Sequence, residues 1–364
     1  MTPSNVDTLN FAYLLKHTAH NNDSLTKHTA KLHDEVDARL TQLLAVPGQF
    51  LQLYCTFDVS VFNLVDGLYG DLNELKVAFN ELSADSFLTE ELFNLVNNPM
   101  FRGDGETWVD ITDSKHAGIF LGREAMRLAT PYSAIKEYCR NATSSTSGQD
   151  YGKLTLKLWQ EFIKVALKAT TLCELKSAQY HEQAFIFAAM IYIAKSVTIQ
   201  AYLSLFESLR ASFEQQARRK LNIELLKNME FAKPNLMRAA KSMTKIFYSV
   251  VDLLAQQLSF NYMTIDRALC TLGTSDTPSF VGAIENELCI KSYYFSVVTD
   301  LNCNDLISSS QKEAFCENFG IQLSDFAKLR QLGITLKRLI SKEREQTKII
   351  QMLNEIVLKH KLQL

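Results

Sequence analysis

The chain has 364 residues with a net charge of −2, and 47% of its residues are hydrophobic against 21% charged. That length supports one large core or two domains without disulfide or metal staples. The near-neutral balance excludes a chain drawn as a whole to nucleic acid or to an anionic membrane. Only 13 glycines and 6 prolines are present, and because these residues interrupt helices or build turns, their scarcity predicts helix nearly throughout.

The N-terminal stretch "MTPSNVDTLNFAYLLKHTAHNND" lacks a basic start followed by an apolar core, which predicts no secretory signal. Residues 24–45 follow an amphipathic helical rhythm through Leu25, Leu32, Val36, Leu40, Leu43 and Leu44, and Pro47 ends it. Three segments of a few helical turns follow: "QFLQLYCTF", "DGLYGDLNELKVAFNELS" and "TEELFNLVNN". In the last, Thr89 ahead of Glu90 and Glu91 reads as an N-terminal cap. Residues 97–114 read as a loop, with Pro99, Gly103 and Gly105. The Ser/Thr-rich run 140–150 reads as a polar linker, and 270–280 reads as a break before a C-terminal section. Long helical stretches are expected over 154–218 and 233–263. The run from Ala184 is apolar for about sixteen residues, short for a membrane span. The charged amphipathic tail 334–360 either docks on its own domain or self-associates as a homodimer through its Leu336, Leu339, Ile340, Ile350, Leu353 and Val357 stripe. Strand-like alternation is nearly absent. The expectation is an all-α protein, soluble and cytoplasmic.

Seven scattered cysteines (Cys55, Cys139, Cys173, Cys270, Cys289, Cys303 and Cys316) form no Cys-x-x-Cys pair and read as reduced thiols. His17, His20, His28 and His33 fall within seventeen residues and include a His33-Asp34 dipeptide. A metal site is one reading. The five-residue spacing of His28 and His33 points them to different faces of a helix, so the group is expected to be solvated polar positions. Asp104, Glu106, Asp110 and Asp113 miss the EF-hand spacing. Arg218, Arg219 and Lys220, without interleaved aromatics, read as a solvated helix face, so neither nucleic acid nor membrane is expected as a partner. Trp108, in an acidic loop, either anchors a partner or tucks into its own domain.

Four motifs in order carry a resemblance. "LFNLVNNPMF" (92–101) resembles the Leu-rich helix end and Asn-Ser-Pro-aromatic-Phe of the HDOD family, the HD-related output domain of bacterial signalling proteins. "ITDSKHAGIFLG" (111–122) is similar to that family's next helix, keeping Ile111, Ala117, Leu121 and Gly122, with Gly118 in place of the usual Ile. "LW" at 158–159 opens a helix as the family's Leu-Trp-x-His-Ser does. "EQAFIFAAMIYIAK" (182–195) keeps the spacing of Glu-Glu-Ala-Phe-x-x-Gly-Leu-Leu-His-Asp-Ile-Gly-Lys. The resemblance implies an HD-domain-like helical fold over about 40–240, preceded by an N-terminal extension (1–39) and followed by extra C-terminal helices (241–364).

In the parent superfamily, imidazoles and carboxylates hold metal ions that generate a hydroxide nucleophile. Here Glu161 stands at the first His position and Phe162 at the Ser. Ile191 and Tyr192 replace the His-Asp pair, and Ala194 replaces the Gly. Isoleucine cannot ligate, and tyrosine is a poor ligand for Mg, Mn or Zn. The resemblance therefore implies no catalytic residue, no metal, no cofactor and no enzyme. It implies a signal-transduction module binding a protein partner or small ligand, with Glu161, Tyr192 and Trp108 as candidate binding residues in a concave, largely apolar cleft beside Tyr192. A residual hydrolase using Glu161, His181 and the N-terminal histidines, and a helical oligomerisation scaffold, are the alternatives.

Overall fold

The computed structural model describes residues 1–16, 27–55, 57–58, 60–84, 86–97, 109–145, 149–176, 181–230, 232–274 and 284–321. Trp108, His17, His20 and the tail 334–360 lie outside the described residues, and of His28 only the backbone, in a helix that begins at Lys27, is described. Among those described, every regular element is helical and no strand occurs, so the all-α expectation holds.

The helices, in chain order, are α1 (Pro3–Leu15), α2 (Lys27–Leu44), α3 (Pro47–Tyr54), α4 (Ser60–Gly67), α5 (Leu72–Ala84), α6 (Ser86–Val96), α7 (Ser114–Ser145), α8 (Gln149–Lys176), α9 (His181–Arg219), α10 (Ile223–Glu230), α11 (Leu236–Ala255), α12 (Ile265–Thr274), α13 (Ile284–Cys303) and α14 (Ser309–Asn318). The axis of the molecule is α9, 39 residues and about 58 Å long at 1.5 Å per residue. From Glu182 to Val197 every side chain except Ser196 is buried, including one acid, one amide and one lysine. A helix apolar all round belongs in the middle of a fold, and α9 accordingly packs against α2, α7, α8, α10, α11 and α13. The helical run Glu182–Arg219 is long and apolar enough to cross a membrane by composition, longer than the apolar run read from the sequence. Its most apolar window is 89% buried against the protein's own helices.

Around this axis, α4, α5 and α6 gather on α7, while α1, α11, α12 and α13 pack together as another group, α11 and α13 lying directly on α9 and α8 packing on both α9 and α13. One apolar core runs from Val6 to Ile321, so the first helix and the C-terminal helices share it with the middle of the chain.

Three local expectations change. Pro47 ends α2 but also begins α3, at the first helical position where its missing N–H costs nothing. Thr89 is not a cap, because α6 starts at Ser86. Leu88 is buried with Leu92 and Leu95, and putting it on their stripe carries the helix start upstream of the threonine. The expected linker 140–150 is mostly helix: α7 runs on to Ser145 and α8 begins at Gln149. Ser, Thr and Asn each cost only a few tenths of a kcal/mol in a helix, and extending an existing helix needs no new nucleus.

Two motif residues shape the approach to α7. The Asn97 side chain holds the backbone of Ile111 at both ends, its Nδ2 donating to the carbonyl and its Oδ1 accepting the N–H, each at 2.9 Å. Gly122 then breaks α7 with φ 74° and ψ 167°, a conformation open to glycine almost alone. At the start of α9, Glu182 is 3.1 Å from Arg127 and accepts the Tyr69 hydroxyl at 2.8 Å, tying α9 to α7 and the end of α4.

Candidate functional site

Helices α8 and α9 carry the positions at which the resemblance would place metal ligands, and they pack side by side. Glu161 and Tyr192 do meet there. Both are buried, at 1% and 3% exposure, and the Tyr192 ring lies 6.0 Å from that of Phe162, next to Glu161 in the chain. Ile191 is wholly buried and can only pack.

The remaining donor, Glu161, is already neutralised. Lys157 Nζ lies 3.1 Å from its Oε1 and Lys164 Nζ 3.4 Å from the same atom. Burial pulls the Lys157 ammonium down. Its 2.6 Å hydrogen bond to the Tyr13 hydroxyl, together with Glu161, more than restores it and holds its pKa above the usual lysine value.

A second ionic centre lies one turn along α9. Lys195 and Asp7 are both wholly buried, with Nζ and Oδ1 3.1 Å apart. Lys195 also donates to Asn10 Oδ1 at 2.7 Å. Asp7 Oδ2 accepts the hydroxyls of Tyr248 at 3.0 Å and Tyr294 at 2.9 Å. The rings of Phe11, Tyr192, Phe247 and Tyr293 surround the ammonium, with centroids 5.4–5.6 Å away. Burial lowers the Lys195 pKa and Asp7 opposes it. Across the same interior, Lys168 on α8 pairs with Asp300 on α13, whose pKa burial raises against the pull of that lysine.

Beside Tyr192, where an apolar cleft was expected, the described residues place buried aromatic rings and ion pairs. Burial together with the carboxylate of Glu161 drives the Tyr192 hydroxyl pKa well above its ordinary value. The donor set does not suit a metal ion. The carboxylates face ammonium groups and hydroxyls, and among the described residues no three His, Cys, Asp or Glu side chains converge to hold a cation.

His33 corrects the expectation of a solvated histidine group. It is wholly buried where α2, α9 and the start of α11 meet. The Asn235 N–H donates to Nε2 at 3.1 Å, so the neutral ring carries its hydrogen on Nδ1 and donates it to the Tyr202 hydroxyl at 2.6 Å. The neighbouring Asp34 pairs with Arg238. Burial, reinforced by the Arg238 charge, lowers the His33 pKa to about 4. The His-Asp dipeptide is thus a clasp between helices. The backbone of His181 begins α9.

Asp7, Asn10, Tyr248, Tyr294 and Asp300 carry no motif and were missed in the sequence. The available signal was Lys195 itself, since a lone cation in a helix buried on every side requires a buried anion. Compared with known proteins, the chain matches no family model, no curated protein and no solved structure.

Proposed function

We propose that the chain is a non-catalytic regulatory module of the HDOD type that acts in the bacterial cytoplasm by binding a protein partner or small ligand. The observation that carries this reading is the pairing of Glu161 with Lys157 and Lys164 beside a buried Tyr192. It supports the reading because ammonium groups surround the carboxylate where catalysis would need a metal. The Asn97–Ile111 clasp, the Gly122 break and the Glu182 anchor give three further motif residues a structural role consistent with it. The hydrolase alternative is weaker because His33, the one N-terminal histidine whose side chain is described, is committed on both ring nitrogens.

The test is metal analysis of protein purified without chelator, alongside phosphodiester turnover. The expected outcome is no stoichiometric metal and no turnover. Stoichiometric Mn, Mg, Fe or Zn, with hydrolysis lost in Glu161→Ala, sinks the reading.

A further inference from the structure

Three helices end in the same way, and one of them breaks the pattern. At the ends of α9, α13 and α14, a residue in the left-handed conformation is followed by one whose N–H reaches back to the carbonyl five residues earlier. The bonds are Asn222 to Ala217 at 3.0 Å, Leu306 to Leu301 at 2.9 Å and Ile321 to Cys316 at 2.8 Å. The left-handed residues are Leu221, Asp305 and Gly320, with φ of 53°, 58° and 67°. Glycine takes this conformation freely and aspartate tolerates it, whereas leucine brings its Cβ too close to the following carbonyl.

The apolar residue of such an ending ordinarily comes next and folds back on the helix. Leu306 and Ile321 follow that rule and pack on the core. At α9 the order is inverted: polar Asn222, itself exposed, takes the place of the apolar residue and accepts the Leu225 N–H at 3.0 Å, and Leu221 is 86% exposed. Ile223, the first residue of α10, is 68% exposed beside it. The corner thus accepts backbone strain and presents two aliphatic side chains to water. Just before them stand Arg218, Arg219 and Lys220, all exposed, with Lys227 one turn into α10. Glu214 takes up Arg218 at 2.5 Å, and no ion pair engages Arg219 or Lys220 among the described residues.

We propose that the α9–α10 corner is a docking point for an anionic phospholipid surface, with Leu221 and Ile223 entering the acyl boundary and Arg219, Lys220 and Lys227 reaching the headgroup phosphates. The exposed cations Arg219, Lys220 and Lys227 outnumber the exposed acids Glu224 and Glu230 of α10, and distant charges of the chain are screened beyond a Debye length. A protruding pair of aliphatics suits a deformable phase, which closes around them without a preformed pocket. Two side chains and a few cations make such binding reversible, as a regulatory contact requires.

The test is co-sedimentation of the full chain with vesicles of equal parts phosphatidylglycerol and phosphatidylcholine, against phosphatidylcholine alone. Binding is expected only to the anionic vesicles and weakens with added salt. Leu221→Gly should bind about tenfold more weakly, while its melting temperature equals or exceeds that of the parent, because glycine relieves the strain. That split separates lost docking from misfolding. Charge reversal at Arg219 and Lys220 should abolish the preference for anionic vesicles. Absence of parent binding, or retention of full binding by Leu221→Gly or by the charge-reversed protein, overturns the proposal. So does a dimer in solution that Leu221→Gly dissociates without any lipid binding, which would make a second copy the occupant.

Discussion

Asp7 and Lys195, one on the first helix and one on the central helix, are both wholly buried, with their charged atoms 3.1 Å apart. The pair fastens α1 into the core, and its two members are not equally supported. Asp7 keeps two tyrosine hydroxyl donors if Lys195 is lost. Lys195 keeps only Asn10 and four ring faces if Asp7 is lost.

Asp7→Ala should therefore destabilise the fold by about 3–5 kcal/mol, the cost of an uncompensated buried charge, and Lys195→Met by less. The double replacement Asp7→Leu with Lys195→Met should recover most of the loss, because well-packed apolar side chains substitute for buried ion pairs at little cost. Denaturant unfolding of the three proteins checks the order. A double mutant worse than Asp7→Ala would show that the pair does more than satisfy itself.

Acid should act through His33. Its pKa falls from 6.5 to about 4 on folding, so between these values the unfolded chain binds more protons than the folded one. The stabilisation is complete above about pH 6.5 and is lost as pH falls toward 4, with no further change below that. Part of the shift comes from Arg238, which is half-buried and screened by solvent. The loss is accordingly about 2 kcal/mol. Burial also raises the Asp300 carboxyl toward this window, so the measurement is the difference in pH slope between the parent and His33→Gln. Identical slopes would remove His33 from the response.

The helices were legible because their apolar periodicity is strong, and α2 ends within a residue of its expected limit. What stayed hidden has a common cause. Leu88 overrode the cap chemistry of Thr89 because it shares the buried stripe of a helix packed on α5 and α7, which a cap signal does not register. The serine and threonine run before Gln149 looked like a linker because composition carries no information about an element already nucleated upstream. At the candidate site, only the resemblance marked Glu161, Ile191 and Tyr192 as replaced ligand positions. The buried ionic interior could not be read, because Asp7, Tyr248 and Asp300 reach it from helices that spacing along α9 does not register.

Gly122 should not tolerate a side chain. Its φ of 74° with ψ of 167° lies where non-glycine residues pay about 1–3 kcal/mol. Gly122→Ala should lower stability by that amount, or straighten α7 and displace Arg123 and Arg127 from the carbonyls of Gly70 and Leu68. Thermal unfolding reads the first outcome, and faster hydrogen exchange at the end of α4 reads the second. A variant as stable and as protected as the parent would mean that the break is not set by the glycine.

Tyr192 offers the sharpest separation between plain core and binding site. Its hydroxyl is buried with no hydrogen-bond partner among the described residues, while its ring packs on Phe162 and Lys195. Leaving a buried hydroxyl unmatched costs about 1–3 kcal/mol. Tyr192→Phe keeps the ring and removes the unmatched group, so it should raise stability by about 1 kcal/mol. If the hydroxyl instead serves a ligand held in the folded protein, the substitution lowers the melting temperature of protein as isolated from cells and leaves that of refolded, ligand-free protein unchanged or raised. Melting curves of both preparations decide between these: a gain in each makes Tyr192 core, and a loss confined to the native preparation makes it a binding residue.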